Sequence, residues 1–366
     1  MKRIRVLIVD GDTTSRQTLL RLLDRDQELE IVGAVASERL ALAKLSDLSP
    51  DVVLLDVALP EREGLKTLAA MRETHLALPI IMFSRLTERG SQTTLDALQL
   101  GANDYVTKPE SNADLERCVQ GELTTKIKTL VAAQHPALKP EAQAKELRQS
   151  TIPSLALQAS MRQLSPTPSH VAEIVAIATS TGGPNALASL LSSLPPSFAT
   201  PIVIVQHMAS GFTTTLAESL RRQTGRNVRE VETVHPLHAA SVWIAPGGRH
   251  LVVIRQRLTV QVATNGDPPE NNCCPSADVM FRSVADVFSS RCLAVVLTGM
   301  GYDGLAGCRT IRQAGGTILV QDEASSVAWG MPGQVATAGL ADDVLPLTGL
   351  AQEICRRTTH VRVCRT

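Results

Sequence analysis

The stretch Ile174-Val-Ala-Ile-Ala-Thr-Ser-Thr-Gly-Gly-Pro-Asn-Ala-Leu-Ala-Ser-Leu-Leu191 predicts a buried strand, a tight turn and a helix in direct succession. Residues 174–178 are apolar and partly β-branched, as in a strand covered on both faces. Gly182-Gly183 can adopt backbone angles that other residues avoid, and Pro184 suits a first helical position. Ser180 therefore lies between a strand end and a helix amino terminus, where free N–H groups favour negative charge. The stretch is typical of an α/β fold.

The turn itself is open to three interpretations. Ser180 or Thr181 caps the helix and does nothing else; the turn cradles a phosphate group; or Ser180 is a nucleophile with nearby N–H groups for an oxyanion. Neither the dinucleotide-binding fingerprint nor the Gly-Lys-Ser/Thr phosphate loop is present. A nucleophile needs a base, which the rest of the chain has to supply.

The length and the charge of the chain limit the classes of protein to which it can belong. The 366 residues suffice for two ordinary domains. Residues 1–128 carry 17 Lys and Arg against 20 Asp and Glu, and residues 171–366 carry 15 against 14, so neither half is a basic nucleic-acid module.

Targeting and cysteine patterns point to the cytoplasm. The apolar run after the basic start ends at Asp10, which is too short for a signal peptide. Prolines interrupt the uncharged run from 174 to 217, so we expect no membrane insertion. The seven cysteines lack zinc-type spacing and are expected to be reduced thiols.

Short apolar runs alternate with helical patterns through the first half of the chain. The predicted strands are 6–9, 31–35, 52–55, 80–83 and 105–106, and the predicted helices are 15–23, 39–45, 64–74 and 92–100. This alternation predicts a five-stranded parallel sheet with helices on both faces.

Polar side chains follow four of these strands. They are Asp10, Asp56, Ser84 and Lys108. Each alone is most simply a loop start or a cap, but parallel strands end at one sheet edge, so we expect all four to lie together. Carboxylates suit Mg²⁺ and an ammonium group pairs with phosphate. The sequence therefore predicts a site for a metal ion and a phosphoryl group.

The first half resembles the receiver domain of two-component response regulators. The matching segments are Val9-Asp10, Leu54-Leu55-Asp56, Pro60, Gly64-Leu65, Phe83-Ser84 and Gly101-Ala-Asn-Asp-Tyr-Val-Thr-Lys108-Pro109. The resemblance implies that Asp56 accepts a phosphoryl group from a histidine kinase and that Lys108 pairs with it. It implies that Ser84 and Tyr105 are switch positions, and that Mg²⁺ is held by Asp10 and Asp56.

One departure from the receiver pattern affects the metal site. Receivers usually carry two adjacent acidic residues after the first strand, whereas this chain reads Asp10-Gly11-Asp12. Asp12 is a further candidate metal ligand because of its proximity alone. Residues 129–170, with several prolines, are expected to form a linker after a receiver at 1–128.

The second half, expected at 171–366, repeats the strand-then-polar design. His207 follows the buried run that begins at Pro201, and Asp303 lies in a glycine-rich turn after the run that begins at Cys292. A lone histidine at a strand end is usually structural, but this one shares a predicted sheet edge with Ser180. His207 is then a candidate base, Asp303 orients it, and Ser180 attacks a carbonyl.

These segments resemble the catalytic domain of the chemotaxis protein-glutamate methylesterases. The matching segments are Ala178-Thr-Ser180-Thr-Gly-Gly-Pro, Val205-Gln-His207-Met, Ile244-Ala-Pro-Gly-Gly248, Pro275-Ser276-Ala-Asp278-Val, Leu297-Thr-Gly-Met300-Gly-Tyr-Asp303-Gly, Asp322-Glu-Ala-Ser-Ser326 and Gly330-Met-Pro332. The loop Asn271-Asn272-Cys273-Cys274 departs from the usual basic or histidine-containing pattern.

The resemblance implies hydrolysis of glutamate γ-methyl esters on methyl-accepting chemoreceptors, with deamidation of receptor glutamines. It implies the triad Ser180, His207 and Asp303, oxyanion donors near Thr181 and Met300, and no cofactor for hydrolysis. It further implies two doubly wound parallel-sheet domains, a flavodoxin-like receiver and a Rossmann-like methylesterase domain. An unphosphorylated receiver is expected to cover the esterase cleft.

Two rival functions remain at this point. A non-catalytic phospho-switch could regulate by binding a receptor or another partner. A DNA-binding output is disfavoured, because the near-neutral second half offers no basic recognition helix.

Overall fold

A computed structural model describes residues 3–57, 59, 63–85, 88–109, 111–134 and 171–359. Residues 135–170 of the expected linker at 129–170, and Cys364, lie outside these described residues. The fold consists of two α/β domains, as the sequence predicts.

The first domain is built on a five-stranded parallel sheet. Its strands are β1 (Ile4–Val9), β2 (Leu29–Val35), β3 (Val52–Asp56), β4 (Ile80–Arg85) and β5 (Asp104–Lys108). The strand order is β2-β1-β3-β4-β5, and every neighbouring pair is parallel. This is the flavodoxin-like order, so all five carboxyl ends meet at one edge.

Helices cover both faces of this sheet. They are α1 (Thr13–Leu23), α2 (Glu38–Leu48), α3 (Glu63–Thr74), α4 (Glu88–Gln99), α5 (Asn112–Cys118) and α6 (Thr124–Gln134), with a π-helical turn at Val119–Leu123 joining the last two. In α6, Ile127, Leu130 and Val131 are buried against the core of the first domain. The expected receiver boundary at residue 128 therefore falls inside a helix that packs on the receiver.

The second domain contains a seven-stranded parallel sheet. Its strands are β6 (Ile174–Thr179), β7 (Ile202–Gln206), β8 (Asn227–Glu230), β10 (Ser241–Ile244), β13 (Cys292–Val296), β14 (Thr317–Gln321) and β15 (Asp343–Leu345). The order is β15-β14-β13-β6-β7-β10-β8. The quoted stretch thus forms a central strand, and every residue of β6 is buried.

Six helices of the second domain are described. They are α7 (Gly183–Ser193), α8 (Phe212–Thr224), α9 (Ala277–Phe288), α10 (Leu305–Gln313), α11 (Met331–Thr337) and α12 (Leu347–Thr358). A small antiparallel sheet, which the sequence did not predict, consists of β9 (His235–Pro236), β11 (His250–Gln256) and β12 (Thr259–Asn265). Its strand order is β11-β12-β9. Helix α9 packs against β11.

Apolar side chains of the two domains belong to one continuous cluster. Helix α4 of the first domain packs against α7 and α8 of the second, and Leu95, Leu98, Leu216 and Leu220 are all buried there. The first domain therefore lies directly on the helices that follow β6 and β7. Among the described helices, none is long and apolar enough to cross a membrane.

Candidate active site

Adjacent strands of the second sheet bring Ser180 and His207 to the same edge. Thr179 pairs with Gln206 in the register between β6 and β7. The N–H of His207 then donates to the carbonyl of Thr179 at 3.1 Å. Ser180 and His207 are the next residues along these two strands, so their backbones leave the sheet side by side.

Asp303 reaches the same edge from the loop after β13. His207 Nε2 and Asp303 Oδ2 are 2.8 Å apart. The aspartate also accepts from the Ser276 hydroxyl at 2.8 Å and from the Ala277 N–H at 2.6 Å. Ala277 is the first residue of α9, so the carboxylate lies at a helix amino terminus, which stabilises its charge.

The two groups shift each other's protonation equilibria in opposite directions. Burial alone would lower the pKa of His207, but hydrogen bonding and charge from Asp303 and Cys273 raise it above its usual value. Burial alone would raise the pKa of Asp303, but hydrogen bonding and charge from His207 hold it below its usual value. Each group of the pair therefore stabilises the charged form of the other, imidazolium beside carboxylate.

Close packing fixes the backbone of the Ser180 turn. The Ser180 N–H donates to the Thr298 carbonyl at 3.1 Å, and the Ser180 carbonyl accepts from Gln206 Nε2 at 2.9 Å. A Cβ at Gly183 would lie 1.9 Å from Gln206 Oε1, and one at Gly299 would lie 3.0 Å from the Ser180 Cβ. The small residues of the turn are thus required by contact with neighbouring strands.

The side chain of Ser180 is half-buried and unpaired. Its hydroxyl makes no hydrogen bond to any residue in the part of the chain that the structure describes. The predicted nucleophile and base are therefore neighbours whose hydrogen bond is not formed here. Such bonds often tighten only when substrate binds.

The two predicted oxyanion residues flank Ser180 differently. The buried Thr181 hydroxyl donates to Asp104 Oδ2 of the first domain at 2.5 Å. Met300 is half-buried and follows Gly299, which packs against Ser180. Both positions adjoin the turn, and their oxyanion role stays a prediction.

The polar residues of the first sheet form a compact charged cluster. Lys108 Nζ lies 3.0 Å from Asp10 Oδ2 and 3.3 Å from Asp56 Oδ2, and all three side chains are buried. The Ser15 hydroxyl donates to Asp10 Oδ2 at 2.5 Å. Ser15 was missed at the sequence level because nothing in its spacing marks it as a partner of Asp10.

The candidate metal ligand Asp12 has a second use. Its Oδ1 accepts the Ser15 N–H at 2.8 Å and caps α1, and the residue is exposed. Asp10 and Asp56 offer the hard oxygen donors that Mg²⁺ prefers, so the donor set fits this ion. Ser84 lies in β4, but its side chain is outside the described part of the chain.

Tyr105, predicted as a switch residue, lies between the domains. Its ring stacks on Phe212 at the start of α8, with centroids 4.7 Å apart, and both residues are buried. Burial raises the pKa of the Tyr105 phenol. Nearby, Asn185 Nδ2 donates to the Leu98 carbonyl at 2.7 Å. The start of strand β5 in the receiver, at Asp104 and Tyr105, thus packs directly on the segments that follow β6 and β7, including the turn that carries Ser180.

Both halves of the chain match known families. Residues 6–120 match the response regulator receiver domain, and residues 175–354 match the CheB methylesterase family. A protein-glutamate methylesterase/protein-glutamine glutaminase of Trichodesmium erythraeum is 46% identical over 98% of this chain and 99% of its own length. One from Nocardioides is 42% identical over 99% of this chain and 97% of its own.

Solved structures resemble the two halves separately. The CheB methylesterase catalytic domain of Thermotoga maritima is 37% identical with a TM-score of 0.49, covering 50% of this chain and 97% of that one. The response regulator domain of Thermotoga maritima CheB is 34% identical with a TM-score of 0.32, covering 35% and 95%. The relatives matched over nearly their whole length decide the assignment: this chain belongs to the family of protein-glutamate methylesterases/protein-glutamine glutaminases, with a receiver domain preceding the methylesterase domain.

Proposed function

We propose that Ser180, His207 and Asp303 form a catalytic triad that hydrolyses glutamate γ-methyl esters on chemoreceptors, and deamidates receptor glutamines at the same site. The observation that carries this proposal is the 2.8 Å bond between His207 and Asp303, at the sheet edge where β6 delivers Ser180. We expect a cytoplasmic protein whose substrates are methyl-accepting chemoreceptors.

The proposed reaction proceeds through an acyl-enzyme. Ser180 Oγ attacks the ester carbonyl while His207 accepts the hydroxyl proton. Because Nε2 is bonded to Asp303, Nδ1 is the ring nitrogen left to receive that proton. The tetrahedral intermediate collapses with loss of methanol, which takes the proton from His207, and water then hydrolyses the glutamyl ester of Ser180 by the reverse sequence.

The turn itself supplies the proposed electrostatic stabilisation. Helix α7 begins at Gly183, so the positive end of its dipole lies beside the reacting serine. Backbone N–H groups near Thr181 and Met300 are the candidates for binding the oxyanion. Such donors are effective because they are held in place before the charge develops.

The receiver is proposed to take a phosphoryl group at Asp56 from a histidine kinase. Mg²⁺ bound by Asp10 and Asp56 would neutralise charge on the phosphoryl group, and Lys108 would pair with its oxygens. The buried ammonium of Lys108 already lies between the two carboxylates. Hydrolysis by the triad needs no cofactor in this scheme.

The receiver is proposed to inhibit the esterase by covering its cleft. Two contacts support this: the bond from Thr181 to Asp104, and the stacking of Tyr105 on Phe212. Phosphorylation of Asp56 would shift the population from the docked to a released arrangement.

Methanol release from methylated receptor membranes tests the proposal. We expect slow release from the unphosphorylated protein, faster release with a small-molecule phosphodonor and Mg²⁺, and none from Ser180→Ala. A Ser180→Ala protein that still releases methanol would exclude the triad. If Ser180→Ala instead supported normal adaptation, the binding-only alternative would replace the catalytic one.

A further inference from the structure

A cysteine lies beside the proposed triad. Ligand atoms of His207, Cys273 and Asp303 all lie within 4.8 Å of one another. In the sequence, Cys273 stands only in a loop before Pro275 that departs from the family pattern, and no spacing links it to His207. The fold thus adds a sulfur donor to a nitrogen and an oxygen donor.

A tight turn fixes the position of this cysteine. Asn271 and Asn272 have φ values of 54° and 60°, which asparagine tolerates better than most residues. The Cys273 N–H donates to the Glu270 carbonyl at 2.8 Å, and the Glu270 N–H donates back at 3.1 Å. This is the pairing of a two-residue hairpin turn with both central residues left-handed.

Side chains anchor the same turn to α9. Asn271 Nδ2 donates to Asp278 Oδ2 at 2.8 Å, and Glu270 forms an ion pair with Arg282. The Cys273 thiol is half-buried, lies 3.5 Å from the Asn271 carbonyl oxygen and also interacts with His207. The sulfur is therefore held near His207 without a strong competing bond.

The donor set is the one that Zn²⁺ prefers. Tetrahedral zinc binds Cys sulfur at about 2.3 Å and His nitrogen or carboxylate oxygen at about 2.0–2.2 Å, which separates the donors by about 3.5 Å. Starting from a 2.8 Å pair and a sulfur within 4.8 Å, shifts of about 1 Å reach that geometry. A thiolate and a carboxylate also balance the double charge of the ion.

We propose that His207, Cys273 and Asp303 form an inhibitory site for a thiophilic divalent cation such as Zn²⁺. Binding forms bonds from the metal to the Cys273 sulfur, to His207 Nε2 and to a carboxylate oxygen of Asp303; the thiol proton leaves to solvent, and the imidazole proton moves from Nε2 to Nδ1. The bond between His207 and Asp303 breaks. The inhibitory effect rests on the proposed triad, because it works by occupying the proposed base and its partner.

The test uses the full chain in excess Mg²⁺ with a phosphine reductant that does not chelate zinc. Methanol release is measured against buffered free Zn²⁺, and Co²⁺ binding is followed by thiolate-to-cobalt absorption in the near ultraviolet. We expect Zn²⁺ to inhibit and EDTA to restore the rate. Cys273→Ser should raise the Zn²⁺ concentration for half-inhibition by at least about 10-fold and abolish the absorption band.

Cys274→Ser is the matched control. Cys274 is the next residue, is also a half-buried free thiol, and lies outside the three-residue cluster. It should keep both the band and the inhibition. Equal inhibition of Cys273→Ser and the wild type, or absence of the band in the wild type, would overturn the proposal.

The two proposals fail separately. A Cys273-dependent Co²⁺ band in a protein whose Ser180→Ala variant stays active would uphold the cation site while excluding the triad. Loss of activity in Ser180→Ala with no Co²⁺ band would do the reverse.

Discussion

The two domains carry similar polar sheet edges that are completed in different ways. In the receiver, Asp10, Asp56 and Lys108 lie at the carboxyl ends of strands of one sheet, and Lys108 pairs with both carboxylates. In the esterase domain, His207 and Asp303 pair with each other, but the turn bearing Ser180 is completed by a receiver residue, Asp104. The receiver site is self-contained, whereas the turn that carries Ser180 contacts the other domain.

The same architecture therefore holds the proposed phosphoryl site and the proposed triad in different ways. A phosphoryl site needs charges gathered at strand ends, which a parallel sheet provides directly. The proposed triad needs an oriented base, and Asp303, which pairs with His207, is held by a loop after β13 and by the amino terminus of α9.

The largest expected effect is that of Ser180→Ala, which should change the activity of the esterase site and leave the receiver site unchanged. We expect methanol release to fall by roughly 10⁴–10⁶-fold, as when the serine of a known catalytic triad is removed. Phosphorylation of the receiver by a small-molecule donor should be unchanged. Ser193→Ala, exposed at the far end of α7, is the control and should keep full activity. A fall in phosphorylation would mean that the edges are not independent.

Asp303→Asn tests how the base is held. We expect a loss of roughly 10⁴-fold, because the imidazole loses its orienting carboxylate. The wild-type rate should rise with pH as His207 loses its proton, with a midpoint above its ordinary pKa of about 6.5. In Asp303→Asn the imidazolium is less stabilised, so the midpoint of the residual activity should move to lower pH. An unchanged midpoint would dissociate Asp303 from the titration.

Asp104→Ala tests whether the esterase edge depends on the receiver. Removing the acceptor of the buried Thr181 hydroxyl should weaken docking and raise the basal rate by about 10-fold, the value of a charged hydrogen bond. Asp104 also contacts Lys126, so Glu122→Ala is the control: it removes another carboxylate from Lys126. A basal rate no higher than that of Glu122→Ala would argue against inhibition by docking.

The smallest expected effect concerns Asp12. Asp12→Ala should lower the free energy of unfolding by about 1 kcal/mol through loss of the α1 cap, whereas Asp12→Asn should keep it. If Asp12 only caps α1, both variants should need the same Mg²⁺ concentration as the wild type for phosphorylation. A higher Mg²⁺ requirement in Asp12→Asn would make Asp12 a metal ligand as well.

The ends of the strands could be predicted from the sequence because short apolar runs mark the strands and a polar residue marks the end of each run. Asp10, Asp56, Lys108, Ser180 and His207 were all placed at the ends of buried runs, and the structure has them there. Buried parallel strands are short apolar runs, so where they end is visible in the letters.

Features made by loops were not predictable in the same way. The turn at Asn271 depends on two left-handed residues and on anchors in α9, and it brings Cys273 to His207. The antiparallel sheet of β9, β11 and β12 was likewise missed. Contacts between segments far apart in sequence depend on packing that no local pattern reports.

The bond between Thr181 and Asp104 also implies a two-way relation. If docking and substrate occupy the same turn, a bound glutamyl side chain must favour the released receiver by the factor with which release favours binding. Heavily methylated receptors would then favour release of the receiver and so activate the enzyme that demethylates them. Substrate binding at the cleft would then provide feedback on the enzyme without phosphorylation of the receiver.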